Sequence, residues 1–149
     1  MNIKEELTTA LKESMKSGDK VKRSTIRMVM SAIKNAEIQA GSVIDDPTIL
    51  GLVQKEIKSR QDTIEDAKRS NRDDLILGAN NEIAILQEFL PKQLEPAELE
   101  SLIEAAIQES GASEMKDMGS VMNIVMPKTK GRADGKTVSQ IVRAKLASL

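Results

Sequence analysis

The residues with the clearest chemical potential form a basic, glycine-containing segment at the C-terminal end of the sequence. From Pro127 to Leu149 there are six Lys or Arg residues and one acid, Asp134, so the local charge is +5. Because the whole chain carries a charge of −1, residues 1–126 must carry −6. Cations beside a predicted helix start favour the binding of phosphate groups. The uneven distribution of charge between the C-terminal segment and the rest of the chain also indicates a polyanionic partner. The candidate binding residues are Lys128, Lys130, Arg132, Lys136 and Arg143.

A second basic cluster lies in a segment predicted to be helical, residues 20–39. Arg23, Arg27 and Lys34 stand at i, i+4 and i+11, a spacing that puts them on one face of a helix. They form either an ordinary solvated face or, together with the C-terminal segment, a two-point clamp for an RNA backbone. The spacing is compatible with both interpretations.

The residue types that are missing exclude several classes of function. The chain has no Cys, His, Trp or Tyr, and Phe89 is its single aromatic residue. Nucleophilic triads, zinc sites and thiol chemistry depend on His or Cys. We therefore expect no catalytic residue, no metal, no cofactor and no enzymatic activity from the chain on its own. Without aromatic side chains for base stacking, any nucleic acid would be bound through phosphates and shape.

Helical periodicity runs along nearly the whole chain and predicts an all-α fold. Two prolines within residues 91–96 indicate a boundary, which we place between an N-terminal helical lobe, 1–92, and a small C-terminal lobe, 93–149. The first lobe should contain about four helices, at 2–17, 20–39, 47–69 and 73–90. The second lobe should contain three helices. The first spans 97–110, the second begins after a cap at Ser113 and ends at Pro127, and the third begins after a cap at Asp134.

Two features of these predicted helices can be interpreted in more than one way. A stripe of Met115, Met118, Met122 and Met126 is typical of the core of a small lobe, although flexible thioethers also form adaptable grooves for protein partners. Arg60 fills a position of the third helix where an apolar residue is expected. It should be buried and paired with Glu56 or Glu82 rather than serve a binding role.

The N-terminal residues and the overall composition predict a cytoplasmic protein without a membrane partner. No segment approaches the roughly 18 consecutive apolar residues of a membrane span. The first residues lack the apolar core of a signal peptide, and the absence of cysteine is compatible with a reducing compartment.

The order of several short motifs resembles a known family. KDMGSVM at 116–122, PKTKGRADGK at 127–136 and the segment 138–146 are similar to the tail of the B subunit of glutamyl-tRNA(Gln) amidotransferase. Its free-standing version is the GatB/YqeY family. The segments IRMVMSAIKNAEI at 26–38, 60–71, and IAILQEFLPKQL at 83–94 also match the free-standing members. The resemblance covers nearly the whole chain.

This resemblance implies a function connected with tRNA. In the amidotransferase the tail helps to hold tRNA, while the chemistry that uses glutamine as amido donor takes place elsewhere. Any amidotransferase (carbon–nitrogen ligase) activity would thus require other subunits. We predict a non-catalytic module that binds tRNA or aminoacyl-tRNA through phosphate contacts. The RNA could be bound alone or together with an enzyme that acts on aminoacyl-tRNA, such as an amidotransferase. The alternative is a protein-interaction adaptor that does not bind RNA directly.

Overall fold

The computed structural model describes residues 2–149, and within them it contains seven α-helices and no strand. The all-α fold expected from the periodicity is therefore confirmed. Contacts divide the chain into two compact units, Met1–Leu90 and Pro91–Leu149. The helices are α1 (Ile3–Ser17), α2 (Lys20–Ala40), α3 (Asp46–Arg69), α4 (Asp73–Gln87), α5 (Pro96–Ser110), α6 (Met118–Thr129) and α7 (Gly135–Ala147).

The first two helices form a tight hairpin because their ends carry strong capping residues. Asn2 and Asp19 begin α1 and α2, and each side chain accepts the backbone N–H of the third residue after it. Gly18 and Gly41 end these helices at φ values of 76° and 69°, a left-handed conformation that glycine adopts without steric cost. Only two residues separate α1 from α2, so the helices run antiparallel and side by side.

The first unit is built around a core that all four of its helices share. α1 packs on α2, α2 also contacts α3 and α4, and α3 runs along α4 as a helical hairpin. Burying a large aliphatic side chain fully contributes about 1.5–3 kcal/mol relative to leaving it exposed. The residues least accessible to water include Leu7, Ile26, Ile49, Val53 and Leu86.

Several large apolar residues of α1, α2 and α4 are exposed rather than buried in this core. They include Met15, Val21, Met28 and Leu75.

The fourth helix ends at Gln87, three residues before the predicted end. Its last residues form turns in which the N–H groups of Glu88, Phe89 and Leu90 each donate to the carbonyl three residues earlier. Pro91 explains the early end, because a proline disfavours the helical conformation of the residue before it. Phe89 remains buried and completes the core from this turn.

Arg60 is the buried charged residue of the first unit. Its Nε lies 2.7 Å from Glu82 Oε2 and its Nη1 lies 2.7 Å from Glu56 Oε2. Its Nη2 is 3.4 Å from the sulfur of Met28. The predicted pairing is confirmed and involves both glutamates, so the guanidinium joins α3 to α4 and reaches α2.

The second unit is a three-helix arrangement with its own core. α5 packs on α6 and α7, and α6 packs on α7. The fully buried residues at its centre include Ile103, Val121, Val125, Val138 and Val142.

Both ends of α6 differ from the sequence prediction. A 3-10 turn, Met115–Asp117, precedes the helix, and its cap is Glu114 rather than Ser113, because Glu114 and Asp117 form a reciprocal capping box. Pro127 does not stop the helix, which continues to Thr129. A proline so close to the helix end removes one hydrogen bond of the last turn, and the next turn forms because the N–H of Lys130 donates to the Met126 carbonyl at 3.0 Å.

Candidate functional site

The basic C-terminal residues surround a short turn between α6 and α7. The carbonyl of Thr129 accepts the backbone N–H groups of Arg132 and Ala133 at 2.8 and 3.0 Å. Gly131, at φ 78°, supplies the left-handed residue that reverses the chain. The turn places four of the predicted cations, Lys128 to Lys136, next to one another in the chain, and the fifth, Arg143, follows two helical turns along α7. We call them the basic corner: Lys128, Lys130, Arg132, Lys136 and Arg143.

The turn is fixed to the start of the second unit by three hydrogen bonds. The side-chain amide of Gln93 donates to the Gly131 carbonyl at 2.8 Å, and the N–H of Leu94 donates to the Arg132 carbonyl at 2.8 Å. The Nε of Arg132 donates to the Lys92 carbonyl at 3.1 Å. Arg132 therefore holds the turn in place, and its guanidinium is less free than the other cations to bind a ligand.

The remaining cations of the basic corner are available to solvent. Lys130, Lys136 and Arg143 are exposed, and none of them forms an ion pair within residues 2–149. Lys128 lies 3.9 Å from Glu109, and both side chains are more than half exposed, so this pair is weak. Lys136 and Arg143 are seven residues apart, which places them on the same face of α7.

The first turn of α7 adds to the positive potential of the basic corner. Asp134 occupies the predicted N-cap position, but its side chain accepts no backbone N–H group of the helix. The hydroxyl of Thr137 instead donates to Asp134 Oδ2 at 3.4 Å. The backbone N–H groups at the positive end of the helix dipole therefore have no side-chain cap.

The acidic charge predicted for residues 1–126 belongs mainly to the second unit. Residues 91–149 contain eight basic and eight acidic residues, and seven of those acids lie between Glu95 and Asp117. The first unit, at −1, is close to neutral. One acid of α5, Glu104, lies 2.8 Å from Lys145, and this hydrogen bond raises the pKa of that lysine. Lys145 is two residues from Arg143 and so faces away from the basic corner.

The cluster predicted on α2 borders a different kind of surface. Arg27 and Lys34 line a groove of about 510 Å³ between α1 and α2, whereas Arg23 shares their helix face but does not line the groove. This groove was not predicted from the sequence. Its apolar lining consists of Leu7, Leu11, Met30 and Ile33.

An ion pair closes one end of the groove. Lys4 Nζ lies 2.6 Å from Glu37 Oε2, and the same oxygen accepts the backbone N–H of Ile44 at 3.2 Å. The hydrogen bond from Lys4 is the main cause that lowers the pKa of Glu37. This pair could not be predicted from the sequence, because residues 33 positions apart leave no local pattern.

The methionine stripe of the second unit does not form one continuous surface. Met118 and Met122 are partly buried against the core, whereas Met115 and Met126 are 43% and 39% exposed. The interpretation as core therefore holds for two of the four residues.

Within residues 2–149 no group of three or more Asp or Glu side chains is arranged to hold a metal ion. In the same part of the chain, no helix is both long enough and apolar enough to span a bilayer.

Comparison with known proteins gives a family and several relatives. The family model described as Yqey-like protein matches residues 4–146. In Pyrenophora tritici-repentis, the protein named altered inheritance of mitochondria protein 41, mitochondrial, is 33% identical over 142 residues, which cover 92% of this chain and 77% of the relative. The protein of that name in Vanderwaltozyma polyspora is 33% identical over 72% of this chain and 62% of its own length. The protein of the same name in Lachancea thermotolerans is 38% identical to this chain, over 54% of this chain and 43% of its own length.

These names contradict the cytoplasmic location predicted from the sequence, since all three relatives are described as mitochondrial. The prediction relied on the absence of cysteine and of a signal-peptide core. Neither feature distinguishes the cytosol from a compartment inside mitochondria.

Proposed function

The chain belongs to the Yqey-like family, and we propose that it is a non-catalytic helical module that binds tRNA through phosphate contacts at the basic corner. The tRNA is bound either free or in complex with a tRNA-dependent enzyme.

The observation that carries this proposal is the set of unpaired cations at the basic corner. Lys130, Lys136 and Arg143 are exposed and have no acidic partner within residues 2–149. A phosphate can bind them without first displacing a carboxylate. The uncapped first turn of α7 supports the same ligand, because backbone N–H groups at a helix start favour negative charge.

The proposed binding mode is electrostatic and independent of base identity. Phe89 is the only aromatic residue of the chain and is 7% exposed, so it offers no platform on which a base can stack. Specificity for tRNA would then come from the three-dimensional arrangement of phosphates that the rigid corner contacts. The predicted clamp that includes Arg23, Arg27 and Lys34 stays a prediction, and the proposal rests on the basic corner alone.

Fluorescence anisotropy with labelled tRNA at several salt concentrations tests this proposal. The double variant Lys130→Ala/Lys136→Ala should weaken binding and flatten the slope of log K against log salt by about 0.7–0.9 for each lost phosphate contact. The matched control, Lys58→Ala/Lys68→Ala, removes the same charge from exposed positions of α3 and should leave the slope unchanged. Binding that does not depend on salt, or an equal effect of both variants, would contradict the proposal.

A further inference from the structure

We propose that the groove between α1 and α2 is a docking site for an acidic amphipathic helix of a protein partner. The proposal concerns the first unit only and does not depend on whether the second unit binds tRNA.

The lining of the groove indicates that its ligand is partly apolar. Leu11 and Met30 form half-buried walls, while Leu7 and Ile33 lie below them in the core. Apolar side chains that enter the groove would cover this surface and exclude water from it. The unbranched side chain of Met30 can also adapt its conformation to the shape of a ligand.

The charges around the groove indicate that the ligand is also acidic. Arg27 and Lys34 are exposed and form no ion pair within residues 2–149. Lys4 is neutralised by Glu37 at 2.6 Å, so the groove carries two uncompensated positive charges. Carboxylates of a partner would complement them, whereas a basic partner would be repelled.

The spacing of the two cations favours a helix over a smaller anion. Seven residues separate Arg27 from Lys34, which corresponds to about 10.5 Å along the axis of α2. A helix that lies along the groove can present acidic residues at i and i+7 at the same spacing, with apolar residues at i+3 and i+4 between them. The single carboxylate of a fatty acid would reach only one cation, and an RNA backbone would leave the apolar lining uncovered.

A pair of synthetic peptides tests the proposal on the full chain. The first is an amphipathic helix with Glu at i and i+7 and Leu at i+3 and i+4 between them. The second has Lys at every Glu position. Methyl NMR should show saturable shifts at Leu7, Leu11, Met30 and Ile33 with the acidic peptide only. In the variant Arg27→Glu/Lys34→Glu, the acidic peptide should bind about tenfold more weakly or worse, and the basic peptide should gain affinity.

Several results would overturn the proposal. They are equal binding of the two peptides, shifts that map outside the groove, and equal groove shifts from dodecanoate or from a short RNA. The control Lys58→Glu/Lys68→Glu makes the same charge change on α3 and should leave peptide binding intact, and circular dichroism verifies that each variant is folded. The peptide experiment measures the groove alone, and the salt slope of Lys130→Ala/Lys136→Ala measures the basic corner alone. Because Lys130→Ala/Lys136→Ala should keep peptide binding, failure of this proposal is distinguishable from failure of the proposed function.

Discussion

Each unit has a pair of exposed cations that form no ion pair within the described part of the chain. They are Arg27 and Lys34 in the first unit and Lys130 and Lys136 in the second. The surfaces beside them differ. The first two border a groove with an apolar lining, whereas the other two flank a hydrogen-bonded turn and a helix start that has no side-chain cap.

This difference shows that the neighbours of a cation decide which anion it suits. A phosphate backbone needs positive charge and polar donors and gains little from an apolar surface. An amphipathic helix needs an apolar surface flanked by charge. The two basic clusters look alike in the sequence, but in the structure one borders an apolar groove and the other borders a turn and a helix start.

The largest expected effect comes from breaking the first unit while leaving the second intact. Arg60→Ala should destabilise the first unit by about 3 kcal/mol, because Glu56 and Glu82 lose a buried partner and are themselves only partly exposed. Since each unit has its own core, peptide binding at the groove should be lost at lower urea than tRNA binding. Urea titrations followed by hydrogen exchange measure the two units separately.

The matched control for this variant is Arg69→Ala. Arg69 pairs with Asp66 at 3.2 Å, but both side chains are 77% exposed, so the expected loss is below about 0.5 kcal/mol. Equal losses from the two arginine variants would show that the buried pairing of Arg60 contributes nothing special to the first unit.

Salt should separate the two surfaces next most strongly. If the basic corner contacts about four phosphates, its tRNA affinity should fall about 100-fold between 50 and 200 mM salt. The acidic peptide should lose much less affinity at the groove, because burial of apolar surface is not screened by ions. Anisotropy titrations over this range provide the measurement. A groove affinity that falls as steeply as the tRNA affinity would mean that the apolar lining plays no part in binding.

Much of the fold could be predicted from local signals. The helix starts at Asn2 and Asp19 and the end at Gly41 follow from capping residues that act within one turn. The continuation of α6 through Pro127 could not be predicted, since it depends on how close the proline lies to an end that tertiary packing determines. The exposure of Met15 and Leu75 depends in the same way on how much of each helix its neighbours cover.

The candidate site was less accessible to sequence reasoning than the fold. The concentration of charge from Lys128 to Arg143 could be read directly, because these residues are close in the chain. The anchoring of Arg132 to the Lys92 carbonyl and the pairing of Lys4 with Glu37 join residues 40 and 33 positions apart. Such pairs appear only when the helices are packed, and they decide which cations are free.

A smaller effect should come from one buried hydroxyl in each unit. Thr25 and Thr129 are both 1% exposed, but only Thr129 has a partner, the Val125 carbonyl at 3.1 Å. Thr25 Oγ1 is the only buried side-chain N or O atom found without a partner within residues 2–149. Thr25→Val should therefore stabilise the first unit by about 1 kcal/mol, whereas Thr129→Val should destabilise the second by about 0.5–1 kcal/mol. Thermal melts of the two variants test this, and a loss of stability in Thr25→Val would contradict it.

The smallest expected effect is a change of stability with pH, which comes from the Glu37 carboxylate at the end of the groove. The pKa of Glu37 lies below its ordinary value of 4.5, chiefly because Lys4 donates a hydrogen bond to it. Its stabilising contribution is thus complete above pH 4.5 and is lost as the pH falls through the lower folded-state value. The difference in melting temperature between the wild type and Glu37→Gln should therefore shrink over that interval.

The same variant sharpens the comparison between the two surfaces at neutral pH. Glu37→Gln frees the charge of Lys4, which leaves three uncompensated cations at the groove rather than two. The acidic peptide should bind the groove more tightly as a result, and tRNA binding at the basic corner should not change. A gain in tRNA affinity instead would mean that the groove and the basic corner attract the same ligand, and the distinction between the two surfaces would fail.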